Sequence, residues 1–210
     1  MISIKTSAID NNIHPVFDQI LNRAHKESLL KQRSKVIWLT GLSGSGKTTI
    51  AKGLEKTLFE RGYLTQVLDG DNIRSGLNRN LKFSSEDRVE NIRRIAEVSK
   101  LFMDCGIITI NSFVSPTEEL RHMARDIIGQ DDFIEIFINA PIEVCEQRDV
   151  KGLYHKARTG EIKNFTGIDA PFEIPEDAGL VLDTSKYSAE ESIQEVLEYV
   201  LQWVKYTDND

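Results

Sequence analysis

The strongest constraint on this chain is the run GLSGSGKTT at residues 41–49, which meets the spacing GxxxxGK[ST] and follows directly on the apolar, β-forming stretch KVIWLT at 35–40. A buried strand that empties into a glycine-rich turn and then a helix lets successive backbone N–H groups converge on phosphate oxygens. Gly41, Leu42, Ser43, Gly44, Ser45 and Gly46 would line that cradle, Lys47 would reach the β and γ phosphates, and Thr48 would hold Mg²⁺ through its hydroxyl, with Thr49 closing the motif. A ligand-free turn accounts for the glycines but not for lysine and threonine at those offsets. ATP with Mg²⁺ is the expected ligand.

The rest of the chain supplies what such a turn needs around it. A helix is expected from about 47 to 61, closed by Gly62 where positive φ is cheap only for glycine, and a second strand over 64–69. Val89, Ile92, Ala96 and Ser99 form one stripe of a long helix over 84–104, widened by Ile95, Val98 and Phe102 and stopped by Gly106. Strand-like runs at 107–113 and 133–139 flank a helix over 117–128 that ends at Gly129; another helix starts near Pro141. After a polar, basic stretch at 151–176 comes a fifth strand at 180–182, and Ser188 with Glu191 forms the capping box of the last helix.

Strand and helix alternate, so the crossovers should be right-handed and the sheet parallel, with helices on both faces and ligands at the C-terminal strand ends. The fold class is therefore α/β, a P-loop kinase fold with five parallel strands and a basic lid. Residues 35–210 would form that domain, with the lid at about 148–176. Residues 1–34 would be a helical extension: Pro15 opens a segment to 32 in which Phe17, Ile20, Leu21 and Ala24 recur at helical spacing.

Composition narrows the partners. A formal charge of −7 and a pI near 5.2 argue against a nucleic-acid polymer, which is held mainly by clustered Lys and Arg. No run approaches the ~20 apolar residues of a membrane span, and residues 1–12 lack a basic region followed by an apolar one, so the expected place is the cytoplasm. Cys105 and Cys145, with no CxxC pair, read as plain buried thiols. No NKxD tetrad of the guanine-reading kind is present, which favours a kinase over a GTPase switch.

At the end of the second strand, LDGDNIRSGL at 68–77 puts Asp69 and Asp71 beside the phosphate loop. Asp71 is assigned as the base that takes the proton of an attacking hydroxyl, and Asp69 as the group that orients Mg²⁺ or its water; turn chemistry alone is the bland alternative. Arg74, Arg88 and Asn91 offer donors to an anionic acceptor. The stretch 148–165 carries Arg148, Lys151, Lys156, Arg158 and Lys163 against Asp149 and Glu161, and can close over phosphates. Phe83 and Phe165 lie outside the apolar stripes and can stack on a base or fill core.

These stretches, with FSSEDRVENIRRIAEVSKLF at 83–102, FVSP at 113–116, CEQRDVKGLYHKAR at 145–158 and IKNFTGIDAPFE at 162–173, resemble the adenylylsulfate (APS) kinase family over nearly everything after Lys35. The family makes 3′-phosphoadenosine 5′-phosphosulfate (PAPS) from ATP and adenosine 5′-phosphosulfate in sulfate assimilation. The resemblance implies that Asp71 acts near the 3′-hydroxyl, that Arg74, Arg88 and Asn91 grip the phosphosulfate, that Phe83 and Phe165 sandwich the adenine, that Lys156 belongs to the lid, and that Arg148 joins the nucleotide site. It implies a free-standing bacterial type and a homodimer. It also makes Ser115 a phosphoserine carrier, whereas the local pattern of Ser115, Pro116 and Glu118 reads as a capping box.

Ser75, Ser112, Thr117 and Glu118 depart from the family pattern without removing a named catalytic group. Two other functions fit the same frame: a kinase for another nucleotide, such as a cytidine diphosphate phosphoramidate, and a weakly hydrolysing nucleotide-binding regulator. The aromatic pair favours adenine over the first, and retention of Lys47, Asp69 and Asp71 argues against the second.

Overall fold

A computed structural model describes residues 12–16 and 19–207. Among these, the elements run α1 (Arg23–Leu30), β1 (Val36–Thr40), α2 (Lys47–Glu60), β2 (Thr65–Asp69), α3 (Gly70–Ser75), α4 (Ser85–Asp104), β3 (Ile108–Ser112), α5 (Glu118–Ile128), β4 (Phe133–Asn139), α6 (Ile142–Arg148), α7 (Leu153–Arg158), β5 (Leu180–Asp183) and α8 (Ala189–Val204). The five strands pair in parallel in the order β2-β3-β1-β4-β5. β1 is central and buried on both faces, which its unbroken apolar run requires.

Alternation along β1 sends its side chains into two cores. Ile37 and Leu39 meet Ile50, Leu54 and Leu58 of α2 and Val196 and Val200 of α8. Val36 and Trp38 meet Ile92, Ile95 and Ala96 of α4 and Leu120 and Met123 of α5. Each fully buried leucine contributes about 1.5–3 kcal/mol, so the two layers clamp the sheet from both sides. Because all strands are parallel, the loops after β1, β2, β3, β4 and β5 gather at one end.

The expected five-stranded sheet, the Gly62 terminus at φ +88° and the Ser188–Glu191 capping box are all present. Three expectations need correction. The N-terminal helix does not open at Pro15: residues 13–16 have no helical structure, and α1 starts at Arg23, where the Asn22 side chain accepts from His25 N at 3.2 Å. Phe17 lies outside the described residues, and Ile20 and Leu21 are exposed, so α1 is held by polar contacts instead. Arg23 binds Asp132, Glu27 accepts from Ser34 N at 2.7 Å, and Gln32 Nε2 donates to Leu64 O and Gly106 O. These contacts tie the extension to the N-terminal end of the sheet, away from the strand-end loops.

The second correction is Cys105, which is exposed at the C-cap of α4, whereas Cys145 is buried in α6. The third concerns the helix after FVSP. Its cap is Thr117, whose hydroxyl accepts from Leu120 N, and not Ser115. Ser115 is drawn inward, with φ +37°, by contacts described below. The aperiodic stretch 151–176 contains the short helix α7. Among the described residues, no helix is long and apolar enough to cross a membrane.

Candidate active site

The phosphate loop joins β1 to α2. Gly41 has φ +147°, and a Cβ there would lie 2.3 Å from Ile138 O; at Gly44, with φ +76°, it would lie 2.9 Å from Cys145 O. Only glycine permits this tight passage between β4 and α6. The N-cap of α2 is Gly46, which has no side chain to cap it, so the first-turn N–H groups face the loop without a protein acceptor from a capping residue. Lys47 is buried and donates to Gly41 O at 2.9 Å and Leu42 O at 2.7 Å; burial lowers its pKa to about 8.

Thr48 and Asp69 meet as expected: Thr48 Oγ1 donates to Asp69 Oδ2 at 2.8 Å, while Asp69 Oδ1 caps α3 by accepting from Asp71 N at 3.1 Å. Ser112 Oγ lies 3.5 Å from Thr48 Oγ1. A hydroxyl and a carboxylate side by side are hard oxygen donors of the type Mg²⁺ takes. Among the described residues, no three His, Cys, Asp or Glu side chains form a cage, so such an ion would need phosphate oxygens to complete its shell.

Asp71, on the first turn of α3, is exposed and forms an ion pair with Lys151 from the basic segment. The same lysine's charge adds to burial in lowering the Lys47 pKa. Arg74 sits over the Phe83 ring, 4.5 Å from its centroid. Burial and the neighbouring charge of Arg88 lower the Arg74 pKa. Two half-buried cations this close make a site for an anion.

Arg88 also links the two aromatic loops. Its Nε donates to Phe83 O at 3.2 Å and its Nη1 to Thr166 Oγ1 at 3.1 Å, with a further bond to Asn164 O. Phe83 is exposed, and Phe165 is half-buried, packed edge-on against Tyr154 at 5.0 Å. Asn91 is buried one turn further along α4. Lys156 is exposed on α7. Arg148 reaches Gly44 O at 3.2 Å and Thr184 O at 2.7 Å, bridging the phosphate loop to the end of β5.

Ser115 is 2 % exposed. Its Oγ accepts from Trp38 Nε1 at 3.0 Å and donates to Thr40 Oγ1 at 2.9 Å, and its carbonyl accepts from the buried Arg121 at 3.0 Å. Arg121 is paired in turn with Glu135. The chain 167–174 passes over a cavity of about 560 Å³ beside Leu42 and the end of β4, then docks at this turn through Glu173, whose N donates to Pro116 O and whose carboxylate accepts from Glu118 N.

Sequence reasoning left out Thr184, whose Oγ1 donates to Ser45 O at 2.7 Å, and Tyr154, whose hydroxyl donates to Ser43 O at 2.8 Å. Thr184 follows directly on the last strand, and position at a C-terminal strand end was the available signal. Nothing in the local sequence marks Tyr154.

A parallel sheet with a phosphate loop at its central strand, a Thr–Asp pair beside it and a basic segment across the opening defines a P-loop phosphotransferase. The adenylylsulphate kinase family model matches residues 33–183. The chain is 64% identical over 191 residues to the adenylyl-sulfate kinase of Bacteroides thetaiotaomicron, covering 91% of this chain and 95% of that one. It is 65% identical over 192 residues to that of Bacteroides fragilis, with the same coverage. Its fold superposes with a TM-score of 0.77 on the Mycobacterium tuberculosis APS kinase in complex with AMPPNP and APS, at 47% identity over 80% of this chain and 98% of that one. The chain belongs to the adenylylsulphate kinase family.

Proposed function

We propose that the protein is an adenylyl-sulfate kinase, which moves the γ-phosphoryl group of ATP to the 3′-hydroxyl of adenosine 5′-phosphosulfate, forming PAPS and ADP. The observation that carries this reading is the gathering, at the C-terminal end of the sheet, of a phosphate loop, Asp71 on the first turn of α3, the Arg74–Arg88 cation pair and an aromatic ring on each side loop. The related Mycobacterium tuberculosis structure, which holds AMPPNP and APS, supports the choice of acceptor.

In this reading the backbone of residues 41–46 and Lys47 bind the ATP phosphates, and Arg148 holds the loop to Thr184 at the nucleotide end. Phe83 and Phe165 flank the acceptor adenine, while Arg74, Arg88 and Asn91 receive the phosphosulfate. Asp71 accepts the 3′-hydroxyl proton as the oxygen forms its bond to the γ-phosphorus; the bond to the β,γ-bridging oxygen breaks and ADP leaves with that electron pair. Thr48 and Asp69 would hold Mg²⁺, which supplies charge neutralisation on the β and γ phosphates. Lys151 and Lys156 belong to a lid over about 148–176, on a catalytic domain of residues 35–210.

Ser115 acts here through position. Its hydroxyl bonds inward to Trp38 and Thr40, which supports direct transfer from ATP to acceptor, with positioning and electrostatics supplying the catalysis. The test is ADP release with Mg²⁺ and ATP when APS, AMP, gluconate or a cytidine diphosphate acceptor is offered. APS alone should stimulate turnover; stimulation by another acceptor and not by APS would overturn the assignment.

A further inference from the structure

The amide of Asn91 is useful to an anionic acceptor only if its N–H group, and not its oxygen, faces outward. We infer that Asn78 is the positioning residue that fixes this choice, an inference that rests on reading Asn91 as an acceptor-binding group. Asn78 is fully buried in the turn after α3, where its backbone N donates to Ile73 O at 2.9 Å. Its side-chain Nδ2 donates to Asn91 Oδ1 at 3.0 Å. Among the described residues, no protein atom accepts from Asn91 Nδ2, so that donor is left for a ligand.

An asparagine pair could satisfy the same bond with both amides reversed, and Arg94 removes that freedom. Arginine has donors and no acceptor. Arg94 Nη1 lies 3.5 Å from Asn78 Oδ1, 2.9 Å from Asn80 Oδ1 and 3.4 Å from Leu77 O, and Arg94 Nε is held by Glu90 Oε1 at 2.7 Å. The Asn78 oxygen must face the guanidinium, so its Nδ2 faces Asn91, and Asn91 must answer with its oxygen. Glu90, Arg94 and Asn78 thus relay one orientation to the acceptor site.

Asn78→Asp tests the relay without changing shape. The new carboxylate accepts from Arg94, so it stays paired, but it can only accept from Asn91, which reverses that amide and turns Oδ1 toward the acceptor's negative charge. The KM for APS should rise about ten- to a hundredfold, the range of one hydrogen bond to a charged group, with KM for ATP unchanged and kcat within about threefold. Should that variant melt below the assay temperature, Arg94→Met, at a part-exposed position, should raise the APS KM by about threefold or more with the ATP KM unchanged. A folded variant with an unchanged APS KM, or with both KM values rising together, would overturn the inference. A parent enzyme that does not phosphorylate APS would instead sink the functional reading itself, and the relay with it.

Discussion

Replacing Ser115 with alanine should cost stability and spare turnover. Trp38 is fully buried, and its indole N–H donates to Ser115 Oγ at 3.0 Å; alanine leaves that donor dry and unpartnered. Thr40 is less affected, because its hydroxyl still donates to Val114 O at 2.8 Å. An orphaned buried donor costs about 1–3 kcal/mol. For a chain of this length each kcal/mol lowers Tm by about 2–4 °C, so a central loss of about 2 kcal/mol predicts a fall of about 4–8 °C. Calorimetry of the parent, Ser115→Ala, Trp38→Phe and the double variant should return a coupling of about 1 kcal/mol between the two sites. Saturated turnover with ATP and APS should stay within a few-fold of the parent. A Ser115→Ala protein that melts with the parent but loses turnover by about a hundredfold or more would refute the reasoning, because the hydroxyl would then belong to the chemistry.

Asp71→Asn keeps size and removes the base, so kcat should fall about 10²- to 10⁴-fold while ATP binding is retained; titration calorimetry beside the rate assay checks both, and unchanged kcat would exclude Asp71 as base. Because burial sets the Lys47 pKa near 8, the Kd for ATP should be level below about pH 8 and weaken above it by up to about tenfold per unit; a flat profile to higher pH would contradict this. The same depression means that the unfolded chain binds the extra proton from about pH 8 up to the ordinary lysine range, so this group's contribution to stability rises with pH there; Lys47→Met should abolish that component in denaturant titrations. Gly41→Ala would force a Cβ to 2.3 Å from Ile138 O, costing about 2 kcal/mol or more and disrupting ATP binding; an unchanged melt and Kd would show that the loop tolerates the side chain.

Features written in local sequence were legible before the fold was known. The strands at 36–40 and 133–139, the helix from Lys47 and its Gly62 terminus, and the Ser188–Glu191 box each depend on residues a few positions apart. The misreadings arose where distant groups overrule a local signal. Ser115 before Pro116 has the form of a helix cap, but Trp38 and Thr40 hold its hydroxyl in the interior, and Thr117 takes the cap. The apolar spacing after Pro15 suggested a helix, but α1 is fixed by its polar contacts to Ser34 and Asp132 and begins eight residues later, at Arg23. Asp71 was visible as a carboxylate beside the loop, whereas its pairing with Lys151, eighty residues away, needs the tertiary structure. Strand order and the hold of Thr184 and Tyr154 on the phosphate loop were hidden for the same reason.

Phosphoryl transfer to APS is tested most directly by the fate of the γ-phosphoryl group itself. The protein is incubated with γ-labelled ATP, Mg²⁺ and APS, the nucleotides are separated, and the labelled product is treated with a selective 3′-phosphatase. Label should appear on the 3′-oxygen of APS, released by that treatment, in step with ADP formed. ATP that binds tightly while APS stays unlabelled, or label that moves to water, would contradict it.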